Sequence, residues 1–224
     1  MPHAPLLLPE VAGPKNEVAT ARVRDAVRGI DFGERVVVVA SPHGTRTGVY
    51  ARAAGSLDAF GPRGVDVSWP EDPVARPLAA AWGAPVLDEP VDHGIVVPLR
   101  LLRASSVVAV AFEEGEGDGE GLARALASIE HSFAFVASAN LSAGHGERAP
   151  LPSVEDAAAV DGRVLRSLQI DPGALVEQGT ALRGAGSCGA APLAAFGALF
   201  ADRSCDVTAY EHPFGVGYAV ALTP

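Results

Sequence analysis

Arg35-Val36-Val37-Val38-Val39-Ala40-Ser41-Pro42-His43-Gly44 is the stretch that decides the fold. Its four valines are β-branched and apolar on both faces of an extended chain, the pattern of a strand covered by helices on both sides. Ser41-Pro42-His43-Gly44 then turns the chain and presents an imidazole just past the strand. Working outward, Ser106 to Phe112 and Phe133 to Ala137 read as strands of the same kind. Tyr218 to Leu222 is expected to be a late strand, and Ala4 to Leu8 a short first strand ended by Pro9. Helical spacing runs over Asn16 to Arg28, Gly121 to Ile129 and Ala190 to Phe200. Ser153 with Asp156 resembles a capping box opening a helix to about Leu168. Strands alternating with helices predict one α/β domain over residues 1–224, with a central mostly parallel or mixed sheet and helices on both faces.

The 224 residues suit a single core, and 48% hydrophobic with 20% charged residues is ordinary for a folded domain. A formal charge of -10 and a single lysine, Lys15, argue against nucleic acid, which needs clustered cations. The Leu6-Leu7-Leu8 run lacks the basic start of a secretory signal, and no stretch approaches the ~20 apolar residues of a membrane span. The expectation is a cytoplasmic protein without a membrane partner, with Cys188 and Cys205 as free thiols. Glu113 to Glu120, acidic and glycine-rich, reads as a solvated loop.

Ligands of open α/β sheets collect beyond the carboxyl ends of the strands. His43 stands there, and His3 lies just ahead of the Leu6-Leu7-Leu8 run. His93 follows Asp92, which is placed to orient its ring; His145 follows the turn-rich Asn140-Leu141-Ser142-Ala143-Gly144; Glu211 precedes the last strand. Each alone is equally explained as a cap, a core group or an exposed side chain, and His131 needs only a helix C-terminus. Two histidines and one carboxylate are nevertheless the donor set of a non-haem Fe(II) site with open positions.

Five segments, in order, resemble the class III extradiol ring-cleavage dioxygenases of the protocatechuate 4,5-dioxygenase type. They are Pro2-His3-Ala4-Pro5 with Leu8-Pro9-Glu10, Ser41-Pro42-His43-Gly44, Asp92-His93-Gly94 with Val97-Pro98-Leu99, Ser138-Ala139-Asn140-Leu141-Ser142, and Tyr210 through Val220. The resemblance implies that His3, His43 and Glu211 hold Fe(II), that His93 and Asn140 meet a catechol-type substrate, and that dioxygen is the second substrate. It also implies an acid/base histidine and a homodimer. Here the chain departs from the family, which carries aspartate where Asn140 stands and histidine at or near Ala143; His145 is the nearest candidate. Besides the dioxygenase, two readings stay open. One is a metal-binding or redox-regulatory protein like the Memo-type relatives of this fold; the other is a metal-dependent hydrolase, with zinc as an alternative to iron.

Overall fold

The computed structural model describes residues 1–28, 30, 32–113, 119–152 and 156–223. In chain order its elements are α1 (Pro9–Glu17), α2 (Ala21–Arg28), β1 (Arg35–Ala40), β2 (Gly48–Tyr50), β3 (Ala53–Ser56), β4 (Asp66–Trp69), α3 (Ala75–Trp82), β5 (Val86–Leu87) and α4 (His93–Leu101). They continue with β6 (Ser106–Ala111), α5 (Gly119–Ala127), β7 (Ala134–Ser138), α6 (Ala157–Ile170), α7 (Gly179–Gly184), α8 (Ala190–Leu199), β8 (Asp206–Glu211) and β9 (Tyr218–Leu222). The acidic stretch 114–118 and Ser153 of the expected capping box lie outside the described residues. Asp156 is the N-cap of α6 but makes no side-chain capping bond.

The valine stretch behaves as its composition requires. Val36, Val37, Val38 and Val39 are all fully buried, each worth about 1.5–3 kcal/mol relative to exposure. β1 lies between β6 and β7 and runs parallel to both, in a five-stranded sheet of order β5-β2-β6-β1-β7. β2 pairs antiparallel with β6, which makes the sheet mixed. Val36, Val38 and Ala40 face a core shared with Val23 and Val27 of α2 and Ile95, Val96 and Leu99 of α4. Val37 and Val39 face Leu78 of α3, Leu122 and Leu126 of α5, and Ala191 and Ala195 of α8. Helices thus cover both faces, as the alternating pattern predicts.

Two expectations are corrected. Ala4 to Leu8 is not a strand: Pro5–Leu7 forms a 3-10 turn, with Leu7 N–H donating to Ala4 O at 2.9 Å. Pro5 and Pro9 have no N–H for a ladder and fix φ near the helical value, while Leu7 and Leu8 still reach the core. The expected helix over Asn16 to Arg28 is divided, with α1 ending at Glu17 and a 3-10 turn at Val18–Thr20 ahead of α2. The Tyr218 strand forms, but in a separate hairpin with β8 and not in the central sheet. Among the described residues no helix is long and apolar enough to cross a membrane.

Because β1, β6 and β7 are parallel, their carboxyl ends share one edge. His43 follows β1 there, and Ser138 and Asn140 end and follow β7. The amino end of α4 comes to the same edge.

Candidate metal centre

Asp92 organises this edge. It caps α4 by accepting from Gly94 N–H at 2.8 Å, and its other oxygen accepts from His43 N–H and from the Thr45 hydroxyl, both at 2.6 Å. Its oxygens therefore hold the His43 turn rather than the His93 ring, contrary to the sequence expectation. His93 opens α4 with its ring against His43, the centroids 4.4 Å apart, and 5.6 Å from His3. The sequence-predicted histidines 3, 43 and 93 thus converge.

His3 is fully buried. Its N–H donates to Asn140 Oδ1 at 3.1 Å, so the Asn140 side chain positions His3. Its Nδ1 lies 2.9 Å from Ser138 Oγ, and that hydroxyl lies 2.6 Å from Gly94 O. A carbonyl only accepts, so the single Ser138 hydrogen goes to Gly94 and its oxygen must accept from His3 Nδ1–H. The tautomer follows: the lone pair of His3 is on Nε2. That atom lies 3.2 Å from His43 Nε2 and 3.2 Å from Cys188 Sγ.

Cys188 is the residue sequence reasoning missed. It sits just ahead of α8, its carbonyl held by Ser41 Oγ at 2.7 Å and its neighbour Ser187 bonded to Asn140 O at 2.7 Å. One ligand atom each from His3, His43 and Cys188 lies within 4.8 Å of the others. A single lone pair on His3 Nε2 thus faces two groups, the His43 ring and the Cys188 thiol, that can satisfy it only one at a time. A cation placed among them would satisfy all three atoms, and a buried second partner already fixes the His3 tautomer, as metal-binding histidines require. These residues fit a metal ion.

The other sequence candidates lie elsewhere. Glu211 pairs with Arg22 of α2 at 3.6 Å and is not in the cluster. Side chains alternate along a strand, and Tyr210 turns inward, its hydroxyl donating to Asp161 at 2.8 Å, so its neighbour faces the other way. His145 is also held apart, its Nε2 2.8 Å from Asp161 Oδ2 and its ring stacked on His212 at 4.5 Å. Asp161 is fully buried and also accepts from Ser142 N–H at 2.9 Å. The structure thus gives His145 a carboxylate partner, not a place beside His3. Burial, reinforced by Asp161, raises the Tyr210 pKa above its ordinary value.

Burial lowers the pKa values of His3 and His43 and takes that of His93 down to about 4, while it pushes the Cys188 thiol up to about 11. Near neutrality the centre therefore holds neutral imidazoles and a thiol. The linkage has a definite sign. Below the ordinary histidine value of 6.5 the unfolded chain binds protons that the folded one refuses, so stability falls as pH drops from 6.5 to about 4. Metal-free protein should show a urea midpoint that rises over this window and levels off above it. His93→Gln should flatten part of the rise; identical pH profiles for the two proteins would refute the assignment.

A cleft of about 310 Å³ opens over the cluster, lined by Ser41, His43, Ser187 and Cys188, with Glu113 and Arg183 among its walls. No protein-family model matches the chain, and no curated protein matches it at a significant level.

Proposed function

We propose that this chain is a transition-metal protein whose ion is held by His3, His43 and Cys188, similar to the Memo-type metal-binding and redox-regulatory reading of the fold. The observation that carries it is the convergence of His3 Nε2, His43 Nε2 and Cys188 Sγ. Two imidazoles and a thiolate form a borderline-to-soft donor set, suited to zinc or copper as well as iron and softer than the two-histidine, one-carboxylate triad. When bound, such an ion supplies Lewis acidity or, if redox-active, an electron site beside a cleft large enough for a small molecule. Ser138 keeps the lone pair of His3 on Nε2, Asp92 fixes the His43 turn, and Asn140 aligns the backbone of His3.

Metal titration tests the reading. The imidazoles are already neutral at pH 7 and the thiol is protonated, so each divalent ion bound should release about one proton, from Cys188. Zn(II) added to metal-free protein, followed by calorimetry in two buffers of different ionisation enthalpy, measures that proton directly. Binding that releases none, or no binding, overturns the reading.

Ring cleavage of a catechol by Fe(II) and dioxygen is the second reading, favoured by the contact of His93 with His43 at the cluster. Oxygen uptake by iron-loaded protein with a panel of catechols distinguishes it: uptake that His43→Ala abolishes supports it, and none rejects it.

A further inference from the structure

The residues on either side of His93 fix where it stands. Val91 N–H donates to Ala54 O of β3 at 2.8 Å, and Gly55 lies so close to Val91 O that a Cβ on it would collide. Gly94 permits the approach on the other side, since a Cβ there would come within 3.3 Å of the His43 ring. The start of α4 is thereby held between the β3–β4 hairpin and the His43 turn, and His93 is carried to the donor cluster.

Ring contacts surround this imidazole. His43 and His3 lie against it, and Phe60, in the turn between β3 and β4, meets it edge-to-face at 5.1 Å. The Asp92 oxygens are committed to Gly94, His43 and Thr45. Among the described residues neither ring nitrogen of His93 has a hydrogen-bond partner. Nothing therefore fixes its tautomer, and nothing holds the ring against turning about Cβ–Cγ.

The spacing of the rings decides what the histidine suits. Around a tetrahedral zinc ion, with bonds of ~2.0 Å to nitrogen and ~2.3 Å to sulfur, two ligand nitrogens stand ~3.3 Å apart, a nitrogen and a sulfur ~3.5 Å, and two imidazole centroids ~5 Å. Here His3 Nε2 is 3.2 Å from both His43 Nε2 and Cys188 Sγ. The centroids of His3 and His43 are 5.0 Å apart, those of His43 and His93 4.4 Å, and those of His3 and His93 5.6 Å. The His93 nitrogens themselves are not within the 4.8 Å that unites the other three donor atoms. A half turn about Cβ–Cγ, a soft two-fold torsion, returns the ring to the same space and brings Nε2 to the edge that Cε1 occupies.

We propose that this half turn makes His93 the fourth ligand of the centre, closing it into a tetrahedral three-histidine, one-cysteine site for Zn(II). The proposal rests on the metal reading above and adds a ligand to it. Glu113, a carboxylate on the wall of the cleft, is exposed, whereas His93 already touches the rings of two ligands. Four protein ligands characterise a structural zinc site, and three with an open position a catalytic one. A closed centre offers no position to a catechol or to dioxygen.

Co(II), which enters zinc sites and reports its ligands in its visible bands, tests this on the metal-free full chain. Wild type should give the intense visible bands of tetrahedral Co(II) together with a near-ultraviolet thiolate charge-transfer band. His93→Gln should bind Co(II) about a hundredfold more weakly, the loss expected for one ligand of four. Its visible bands should shift as water replaces nitrogen, while the thiolate band persists at saturation. Azide reads the same point on the unaltered protein, and should leave the wild-type spectrum unchanged at concentrations that shift that of His93→Gln. Equal affinities and spectra for wild type and His93→Gln would overturn the fourth ligand and leave the three-donor centre standing. An azide shift in wild type would do the same, because it marks an open position; this arm still decides if His93→Gln does not fold. Absence of cobalt binding, or a spectrum without the thiolate band, would overturn the metal reading and the fourth ligand with it.

Discussion

Cys188→Ser should lower the affinity for Zn(II) by roughly a hundredfold or more. Four-ligand zinc sites hold their ion with about 10–16 kcal/mol, so each ligand contributes about 3 kcal/mol, and every 1.4 kcal/mol is about tenfold. Serine keeps the size of the side chain but offers a hydroxyl that does not ionise near neutrality. The fold has little reason to object, because the Cys188 backbone stays anchored by Ser41 Oγ. Ser138→Ala makes the graded comparison. It leaves all three ligands in place but frees His3 to change tautomer, and loss of such a support costs about 10- to 100-fold. Competition titration against a chromophoric chelator gives both numbers. Equal affinities for wild type and Cys188→Ser would remove the thiol from the site and return the search to carboxylates.

The second large effect lies away from the metal. Asp161→Ala should destabilise the protein by about 3–5 kcal/mol, the range for breaking a buried charged network from one side. The carboxylate is fully buried and holds Ser142 N–H, the Tyr210 hydroxyl and His145 Nε2 together. Removing it leaves those donors without a partner between α6, β8 and the loop after β7. Gly217 is part of the same packing, since a Cβ there would collide with the Asp161 carboxylate. Chemical denaturation at pH 7 measures the loss, and a thermal midpoint about 10 °C lower should accompany it. A change under 1 kcal/mol would mean that water satisfies those donors and that the network does not hold the hairpin.

What the sequence made legible follows from where the information is local. Val36 to Ala40 has no alternative to a doubly covered strand, and Ser41-Pro42-His43 can only emerge at its end. Local pattern therefore gives the α/β class, the helices on both faces and the edge at which His43 stands, whereas only the ordered motifs of the resemblance put His3 and His93 beside it. Glu211 was misplaced because motif order does not say which face of a strand a residue occupies, and the inward Tyr210 settles that. Cys188 was missed because its approach to His3 is a tertiary event across nearly the whole chain; the available signal was a lone cysteine between Ser187 and Gly189 at the head of the apolar helix α8. Asp161 was visible in principle. It shares the spacing of Ala157, Val160, Val164 and Leu168, the buried stripe of α6, and an acid on such a stripe demands partners. The N-terminal segment misled because its leucines suit a strand while its prolines forbid the ladder.

His43 and Cys188 lie 40 and 185 residues along the chain from His3. An ion bound to all of them is a reversible cross-link that joins the N-terminal turn, the end of β1 and the start of α8. Closing long loops in this way removes freedom from the unfolded chain, by about 4–5 kcal/mol for a covalent link over some hundred residues. None of the three segments can then swing open without releasing the ion. Metal supply would accordingly set how long the folded chain survives a protease, quite apart from any chemistry performed at the ion.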